Sequence, residues 1–533
     1  MFRTACSFAF ALSLIASPVI AERPVVGPTT RISSGRLVGV RQGDAIAYLG
    51  IPYAAPPIGP NRWRSPRAVA PWKGVRAADR FGPSCPQSIV PSLGPWTHEY
   101  LPSGDTSEDC LSLNVWRPRT ASKNLPVLVW IHGGGFTSGS ASVPVYDGAA
   151  MAEKGIVVVS LNYRIGFLGS LARPELRNSG GGNFGIQDQI EALRWVRRNI
   201  AAFGGDSRRV TISGQSAGAF SVHYLMLAPG ARGLFRQAIA QSGVGLGTGY
   251  DLWLDSRENA ERSAVSLFEA AGARTLDEAR ALSLPQLTSA YFKAGGIPGS
   301  PSGFKTKPYA DGAVLPLDPA AALKEGRYND VPVLIGLTAD EGSGLNPSYR
   351  LTDQVRYERF LSARYGVIAS RLGTLYPLAK PYPAADGGSP MPSLIRDSGI
   401  AATVAWSKER NRTSRFPLYA YVWTHVEPGP EATRYAAFHT SEVPYVFATL
   451  GKAPERPFTR EDWRISRIVQ SYWLNFVKTG DPNGAGLPRW PVFGANRAIV
   501  ELGGNFGEYR SRNAEAEAAL VEHITNGHSL FGP

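Results

Sequence analysis

The pentapeptide GQSAG at positions 214–218 is the strongest chemical signal in this 533-residue chain. It follows the apolar, β-branched stretch 210–213 and precedes a stretch, 219–227, whose composition predicts a helix. A serine on a sharp strand-to-helix turn is exposed at the positive end of the helix dipole and can act as a nucleophile. The flanking glycines fit this turn because side chains there would clash with the neighbouring strand and helix. The pattern therefore predicts Ser216 as a nucleophile.

A second glycine-rich turn, HGGGF at positions 132–136, directly follows the apolar run 125–131. Acyl transfer needs hydrogen-bond donors for the oxygen that becomes negative in the tetrahedral intermediate. Backbone N–H groups in a glycine run can supply them without interference from side chains. A phosphate loop is the alternative, but no Gly-Lys-Ser or Gly-Lys-Thr follows. The two turns support each other as parts of one acyl-transfer site.

A serine nucleophile also needs a base and an acid that orients the base, and in α/β-hydrolases the chain order is serine, acid, histidine. His439 stands in a loop context after the serine, whereas His223 lies on the predicted elbow helix and is interpreted as structural. The strand-like stretch 331–335 is followed by GLTADEG at 336–342. On composition alone, either Asp340 or Glu341 could be the acid.

The elements that would carry these residues alternate between apolar strands and amphipathic helices. Continuous apolar strands are typical of a parallel sheet covered on both faces, and alternation with helices such as 187–203 indicates an α/β fold. The stretches 252–306 and 352–411 are predicted to be mainly helical insertions that cap the active site. Within them, the Gly- and Pro-rich pieces 295–303 and 380–392 are predicted to be loops. The predicted strands are 125–131, 155–161, 210–213 and 331–335.

The first 21 residues have the features of a signal peptide. Arg3 supplies the positive start, an apolar stretch covers 8–15, and the predicted cleavage precedes Glu22. The apolar run is too short for a membrane span, which takes about 20 residues. These features predict a secreted or periplasmic protein without a stable membrane anchor, in which residues 22–533 form a single catalytic domain.

Two cysteines, Cys85 and Cys110, remain after Cys6 is removed with the signal peptide. An even pair in an exported protein predicts a disulfide, with two buried thiols as the alternative. The sequence Asn411-Arg412-Thr413 also fits a glycosylation acceptor.

The formal net charge is +13, which raises the question of an anionic partner. The sequence has no dense Lys/Arg run, no RNA-binding aromatic motif and no zinc-finger spacing. We therefore expect no nucleic-acid partner and interpret the charge as a moderately basic surface. With 43% hydrophobic and 19% charged residues, the composition is that of an ordinary globular protein.

Beyond the two turns, a series of motifs along most of the chain resembles the type B carboxylesterase family, which includes carboxylesterases, cholinesterases and some lipases. The resemblance implies an α/β-hydrolase fold with a mostly parallel central sheet flanked by helices. The motifs are YLGIPYA at 48–54, EDCLSLNV at 108–115, NYR at 162–164, GNFG at 182–185, GGD at 204–206 and GDPN at 480–483.

The resemblance also assigns roles residue by residue. It implies hydrolysis of a small-molecule carboxylic ester through an acyl-enzyme, with no metal and no organic cofactor. It favours Glu341 over Asp340, because Glu341 matches the glutamate of the family's Asp-Glu-Gly motif. The implied residues are Ser216, Glu341 and His439 as the catalytic triad, Gly134, Gly135 and Ala217 as oxyanion donors, and Cys85 and Cys110 as a disulfide.

One elbow residue departs from the family pattern. Many relatives have glutamate where this chain has Gln215, so a negative charge beside the serine is lost. Trp96 is the only tryptophan within the predicted disulfide loop, and with a basic chain this disfavours cholinesterase activity. The alternatives are a lipase acting at interfaces, a specialised esterase for anionic or xenobiotic esters and, least favoured, a non-catalytic binding protein on the same fold.

Overall fold

The computed structural model describes residues 27–120, 122–177, 180–244, 253–296, 307–382, 387–494 and 496–530. The predicted signal peptide, 1–21, lies outside these residues, as do parts of both predicted insertions. Among the described residues, no helix has the length and apolar character needed to cross a membrane.

Apolar strands build one large sheet, and a small sheet packs beside it. In the described part of the chain the large sheet has ten strands and the small one three. The strands are β1 (Thr29–Ile32), β2 (Gly35–Val38), β3 (Val40–Gln42), β4 (Ala45–Pro52), β5 (Val75–Ala77), β6 (Ser112–Pro118), β7 (Leu125–Ile131), β8 (Val157–Leu161), β9 (Gly205–Gln215), β10 (Gln237–Gln241), β11 (Val333–Thr338), β12 (Leu418–Trp423) and β13 (Ile499–Leu502).

Helices cover the large sheet and form the insertions between its strands. The α-helices of the described residues are α1 (Ala149–Ala152), α2 (Gly166–Gly169), α3 (Phe184–Asn199), α4 (Ala217–Leu227), α5 (Arg257–Ala271), α6 (Leu276–Ala281), α7 (Leu284–Lys293), α8 (Pro319–Lys324), α9 (Gln354–Tyr365), α10 (Ala369–Leu375), α11 (Met391–Asn411), α12 (Ala432–Tyr435), α13 (Val443–Phe447), α14 (Arg460–Thr479) and α15 (Ala514–Thr525).

The large sheet has the order β3-β4-β6-β8-β7-β9-β10-β11-β12-β13. Neighbouring strands are parallel from β8 to β13 and antiparallel from β3 to β8. Every residue of β8, β11 and β12 is buried, as expected for strands covered on both faces. The predicted mostly parallel α/β-hydrolase sheet is therefore confirmed.

The individual element predictions are confirmed with shifts at their ends. The run 125–131 is β7, and the short run 210–213 is the middle of the longer strand β9. The predicted helix 187–203 begins earlier, at Phe184, and ends in a 3-10 turn, Ile200–Phe203. The described parts of the two insertions contain α5 to α7 and α9 to α11.

The stretch 380–392 is predicted to be a loop, and its described residues up to 390 lie outside any helix or strand. Its last two residues, Met391 and Pro392, belong to the first turn of α11. Proline fits there because the first N–H groups of a helix have no intrahelical partner. The loop prediction is therefore confirmed for the described residues up to 390 and is wrong only at its last two residues.

The predicted disulfide joins Cys85 and Cys110, whose Cα atoms are 5.0 Å apart. Both residues are buried in the main hydrophobic core. The bond closes a loop that contains Trp96 and Tyr100, two residues that line the cavity described next. It therefore anchors one wall of that cavity to the sheet.

Candidate active site

Ser216 stands on a strained turn between β9 and α4. Its backbone has φ 57° and ψ −124°, a region that non-glycine residues rarely adopt outside functional turns. A Cβ atom on Gly214 would lie 2.4 Å from the backbone of Gly218, and one on Gly218 would lie 2.0 Å from the Ile131 carbonyl oxygen. The steric reason inferred from the sequence for the two elbow glycines is thus confirmed.

The loop after β7 runs directly beside the elbow. Gly134 and Gly135 have φ values of 104° and 62°, so this loop needs residues without a side chain. A Cβ atom on Gly133 would lie 3.0 Å from the Ser216 Cβ atom. The glycines therefore bring the loop's backbone up to the serine, as a set of oxyanion donors requires.

His132 and Tyr163 hold this loop in shape. The His132 ring stacks on Tyr163 with 4.4 Å between ring centroids, and the Tyr163 hydroxyl donates to the His132 carbonyl oxygen at 2.8 Å. Nδ1 of His132 lies 2.8 Å from the Gly133 carbonyl oxygen. Burial lowers the pKa of His132 to about 4, so its ring is neutral at pH 7. Tyr163 belongs to the NYR motif at 162–164, but its role could not be predicted from the sequence because its contact with the loop is a tertiary one.

Composition alone left two adjacent residues, Asp340 and Glu341, as candidates for the acid. Their side chains point in different directions. Glu341 Oε2 is hydrogen-bonded to Nδ1 of His439, and Glu341 Oε1 accepts the Thr338 backbone N–H at 2.8 Å. Both partners of the pair are buried. The structure therefore brings Glu341, and not Asp340, to the histidine.

Asp340 instead connects three segments around the pair. Its Oδ1 atom accepts the Tyr349 hydroxyl at 2.7 Å and pairs with Arg396 of α11 at 3.1 Å. Its Oδ2 atom accepts the Ala437 backbone N–H at 3.1 Å, two residues before His439. Asp340 thus ties the acid-bearing turn to the segment that carries the histidine.

His439 is buried at the centre of these contacts. The Trp96 indole N–H donates to the His439 carbonyl oxygen at 3.0 Å, and Gln215 Nε2 lies 3.0 Å from Nε2 of the ring. His223, interpreted as structural from the sequence, packs edge-on against Trp406 at 4.7 Å. Burial lowers the pKa of His223 to about 3, which keeps it neutral.

A further buried acid, Glu442, lies close to this group, and the sequence did not predict it as a site residue. Burial raises its pKa to about 7, with the nearby charge of Glu341 adding to the effect. Its Oε1 atom accepts from Gln241 Nε2 at 3.0 Å, and Gln241 in turn accepts from the Trp473 indole N–H at 3.1 Å. The only sequence signal was its position three residues after His439.

One cavity of about 990 Å³ joins the elbow, the glycine loop and the buried pair. Its floor, as we call it below, consists of Ser216, the glycines 133–135, Glu341 and His439. Ala217 lies under this floor as the first residue of α4, where the N–H group has no intrahelical partner. The walls are largely apolar, and their aromatic side chains include Trp96, Tyr100, Phe220, Trp253 and Tyr291.

Charged groups are rare in this cavity. Among the described residues that line it, only Glu341 and Arg364 carry a charge. One group of possible metal ligands occurs in the described part of the chain, formed by His98, Glu99 and Glu455. None of the three lines the cavity, and Glu99 is already paired with Arg456 at 2.7 Å. The arrangement of the floor is that of a serine, a histidine and a carboxylate beside backbone donors.

The comparisons with known proteins agree with this arrangement. The chain belongs to the carboxylesterase family, whose model matches residues 26–517. It is 34% identical over 523 residues to the fumonisin B1 esterase of Sphingopyxis macrogoltabida, covering 95% of this chain and 92% of that one. It is 33% identical over 519 residues to the phenmedipham hydrolase of Pseudarthrobacter oxydans, covering 94% and 99%.

Solved structures lead to the same class. A structure of PNB esterase matches with a TM-score of 0.78 and 30% identity, covering 93% of this chain and 99% of that one. The protein is accordingly a carboxylic ester hydrolase with the α/β-hydrolase fold.

Proposed function

We propose that this protein is a secreted or periplasmic serine carboxylesterase that works through Ser216, His439 and Glu341. The observation that carries the proposal is their meeting in one cavity: a serine on a positive-φ turn and a buried His439–Glu341 pair, beside a glycine loop. The predicted signal peptide lies outside the described residues, so export is supported only by its sequence.

In this mechanism His439 takes the proton of Ser216 as the serine oxygen attacks the ester carbonyl. Glu341 accepts the Nδ1–H group of the imidazole, so it fixes the tautomer and stabilises the imidazolium that forms. The imidazolium then gives its proton to the departing alcohol. Water, activated by the same histidine, attacks the acyl-enzyme and releases the acid.

Backbone N–H groups of Gly134, Gly135 and Ala217 are proposed to bind the oxygen of the tetrahedral intermediate. The left-handed glycines support this role because they bring a bare backbone up to Ser216. Removing one such donor typically costs about a hundred- to a thousandfold in rate. Every step uses groups of this chain, so the proposal involves no metal and no organic cofactor.

For the substrate, the aromatic walls favour a bulky, largely neutral ester. Relatives of the chain are named for fumonisin B1, phenmedipham and para-nitrobenzyl esters. A cavity of about 990 Å³ has room for an ester of drug-like size. The alternative of an anionic ester depends on the net charge of +13, whereas Arg364 is the one cation among the described lining residues.

The test is Ser216→Ala, assayed with a dissolved para-nitrophenyl ester and with a fluorophosphonate probe. We expect turnover to fall to background and labelling to disappear, while thermal unfolding stays close to that of the unaltered protein. A Ser221→Ala variant, altered on the buried helix α4, is the matched control and should still be labelled. Turnover by Ser216→Ala at the original rate would refute the proposal, and an unlabelled, inactive parent protein would favour a binding function.

Export has its own test. The protein would be expressed in a bacterium, and the N-terminus of the mature form would be read by mass spectrometry. We expect processing before Glu22 and recovery outside the cytoplasm. An unprocessed chain that begins at Met1 and stays in the cytoplasm would contradict this part of the proposal.

A second candidate, a lipase acting at interfaces, is favoured by the cavity's mouth, defined here as Val90, Leu93, Phe292 and Leu345. These apolar side chains line the cavity and are nevertheless 40%, 59%, 47% and 51% exposed. Exposed apolar patches of this kind often mark surfaces that bind apolar partners. Such a mouth could hold the surface of an aggregated, water-insoluble ester.

The lipase function predicts that turnover of an emulsified ester rises sharply above its solubility limit. Leu93→Ser combined with Leu345→Ser should remove this rise and leave hydrolysis of a dissolved short ester unchanged. Val367→Ser is the matched control, because Val367 is 80% exposed and does not line the cavity. A smooth saturation curve through the solubility limit would reject the lipase.

A further inference from the structure

The carboxamide of Gln215 lies over the ring of His439. Gln215 Nε2 is 3.0 Å from the ring's Nε2 and 3.4 Å from its Nδ1. If the amide nitrogen lay in the plane of the ring, along the lone pair of one ring nitrogen, it would be much farther from the other ring nitrogen. The amide nitrogen therefore faces the flat side of the imidazole, in the manner of an N–H···π contact. The carboxamide therefore does not occupy the in-plane edge at Nε2.

The surroundings of Gln215 fix its side chain in this place. The residue is the last of β9, and only 2% of its surface is exposed. Gly133 makes room for it, since a Cβ atom there would lie 3.1 Å from Gln215 Oε1 and 2.7 Å from the Gln215 carbonyl oxygen. The carboxamide is thus enclosed between the glycine loop and the histidine.

The other groups that face His439 come from separate elements. Glu341, on the turn after β11, is bonded to Nδ1, and Trp96, in the disulfide loop, donates to the main-chain carbonyl. Glu442, at the start of α13, acts on the ring through its charge. Both titratable side chains near the ring are acids, and Gln215 adds a contact on the ring face without adding a third carboxylate.

We propose that Gln215 is a positioning residue for the base: its carboxamide covers one face of the His439 imidazole and holds the ring so that its Nε2 edge stays available to Ser216. The inference rests on the proposed serine-esterase function. Because the carboxamide is neutral, it restrains the ring without favouring the imidazolium as a carboxylate would. The residue that departs from the family pattern thereby acts on the base and not on the substrate.

Two nearly isosteric variants separate the positioning effect from the charge effect. Gln215→Glu puts a carboxylate over the ring, so the acidic limb of kcat/KM should move to higher pH by about one unit. Gln215→Met keeps the bulk but removes the N–H groups. We expect it to lower kcat about tenfold at an unchanged KM, with the pH limb in its original place.

The measurement is a full pH profile of kcat and KM for a dissolved neutral ester, with thermal unfolding recorded for each variant. Ser216→Ala separates the two levels of the argument: activity in that variant refutes the serine esterase, whatever Gln215 does. With Ser216→Ala inactive, superimposable pH profiles of the parent protein and Gln215→Glu would overturn the role of Gln215. A Gln215→Met variant with unchanged kcat would also overturn it. If the buried charge prevents Gln215→Glu from folding, Gln215→Met alone still tests the proposal.

Discussion

The floor and the mouth of the cavity are built in opposite ways. On the floor, the ends of β7, β9 and β11 and the loop around His439 meet, and the backbone is packed so closely that Gly214 and Gly218 have no room for a Cβ atom. The mouth consists of loop and insertion side chains such as Leu93, Phe292 and Leu345, which are about half exposed. The sheet therefore fixes the positions of the reacting groups, whereas the loops and insertions shape the entrance through which an ester must pass.

The largest expected effect comes from the acid on the floor. Glu341→Gln removes the charge that orients His439, and kcat should fall by about 10³- to 10⁴-fold. Asp340→Asn is the matched variant at the neighbouring acid, where only the contacts with Tyr349, Arg396 and Ala437 are weakened. We expect a loss of about ten- to a hundredfold with an unchanged KM. Steady-state kinetics that rank Asp340→Asn below Glu341→Gln in activity would reverse our assignment.

The next effect tests how closely the floor is packed. Gly218→Ala would bring a Cβ atom to 2.0 Å from the Ile131 carbonyl oxygen, so either the elbow or β7 must move. We expect at least about a hundredfold loss of kcat, because small displacements of catalytic groups are costly. Gly507→Ala, with nothing within 4 Å of the added atom, is the control and should keep full activity. Equal activity of the two variants would mean that the elbow tolerates a shift.

A smaller effect on turnover is expected at the disulfide, which anchors the wall between floor and mouth. Replacing Cys85 and Cys110 together by alanine should lower the free energy of unfolding by about 3 kcal/mol, measured by urea denaturation. Turnover of a dissolved ester should fall much less than in either floor variant. If the double variant lost its turnover while its free energy of unfolding stayed unchanged, the disulfide loop would belong to the floor and not to the wall.

The smallest effect concerns Glu427, which supports the wall residue Tyr100 from behind. The Tyr100 hydroxyl donates to Glu427 at 2.5 Å, and burial raises the pKa of Glu427 from 4.5 to about 8. The folded state binds the Glu427 proton more tightly than the unfolded state does, and this tighter binding stabilises the fold. The stabilisation is complete below about pH 4.5 and is lost as the pH rises through about 8. Glu427→Gln should remove this pH dependence.

The measurement is the melting temperature of both proteins between pH 5 and pH 8.5, a window set by the pKa of about 8. As the pH rises, the melting temperature of the variant should increase relative to that of the parent protein. Arg456, 3.2 Å from Glu427, remains in both proteins, so the difference reports the one carboxyl group. Parallel melting curves across the window would contradict the raised pKa.

Local patterns in the sequence determined the parts of the fold that short-range physics controls. Apolar β-branched runs predicted β7, β8, β9 and β11, because a strand buried on both faces needs apolar side chains throughout. The elbow glycines were predicted because side chains there would clash with the neighbouring strand and helix, and the structure confirms these clashes. The start of α11 was missed, since proline at 392 fits a loop and the first turn of a helix equally well.

The family resemblance favoured Glu341 over Asp340, but composition and periodicity could not show which side chains meet across the chain, and that was decided by the tertiary structure. Asp340 and Glu341 are adjacent in sequence, yet the turn after β11 sends Glu341 to His439, 98 residues away, and Asp340 to Arg396. No periodic pattern predicted that Gln215 lies over the imidazole, and the only signal for Glu442 was its position three residues after His439. These contacts depend on how loops from separate strands converge, and such convergence is set by packing rather than by any local pattern.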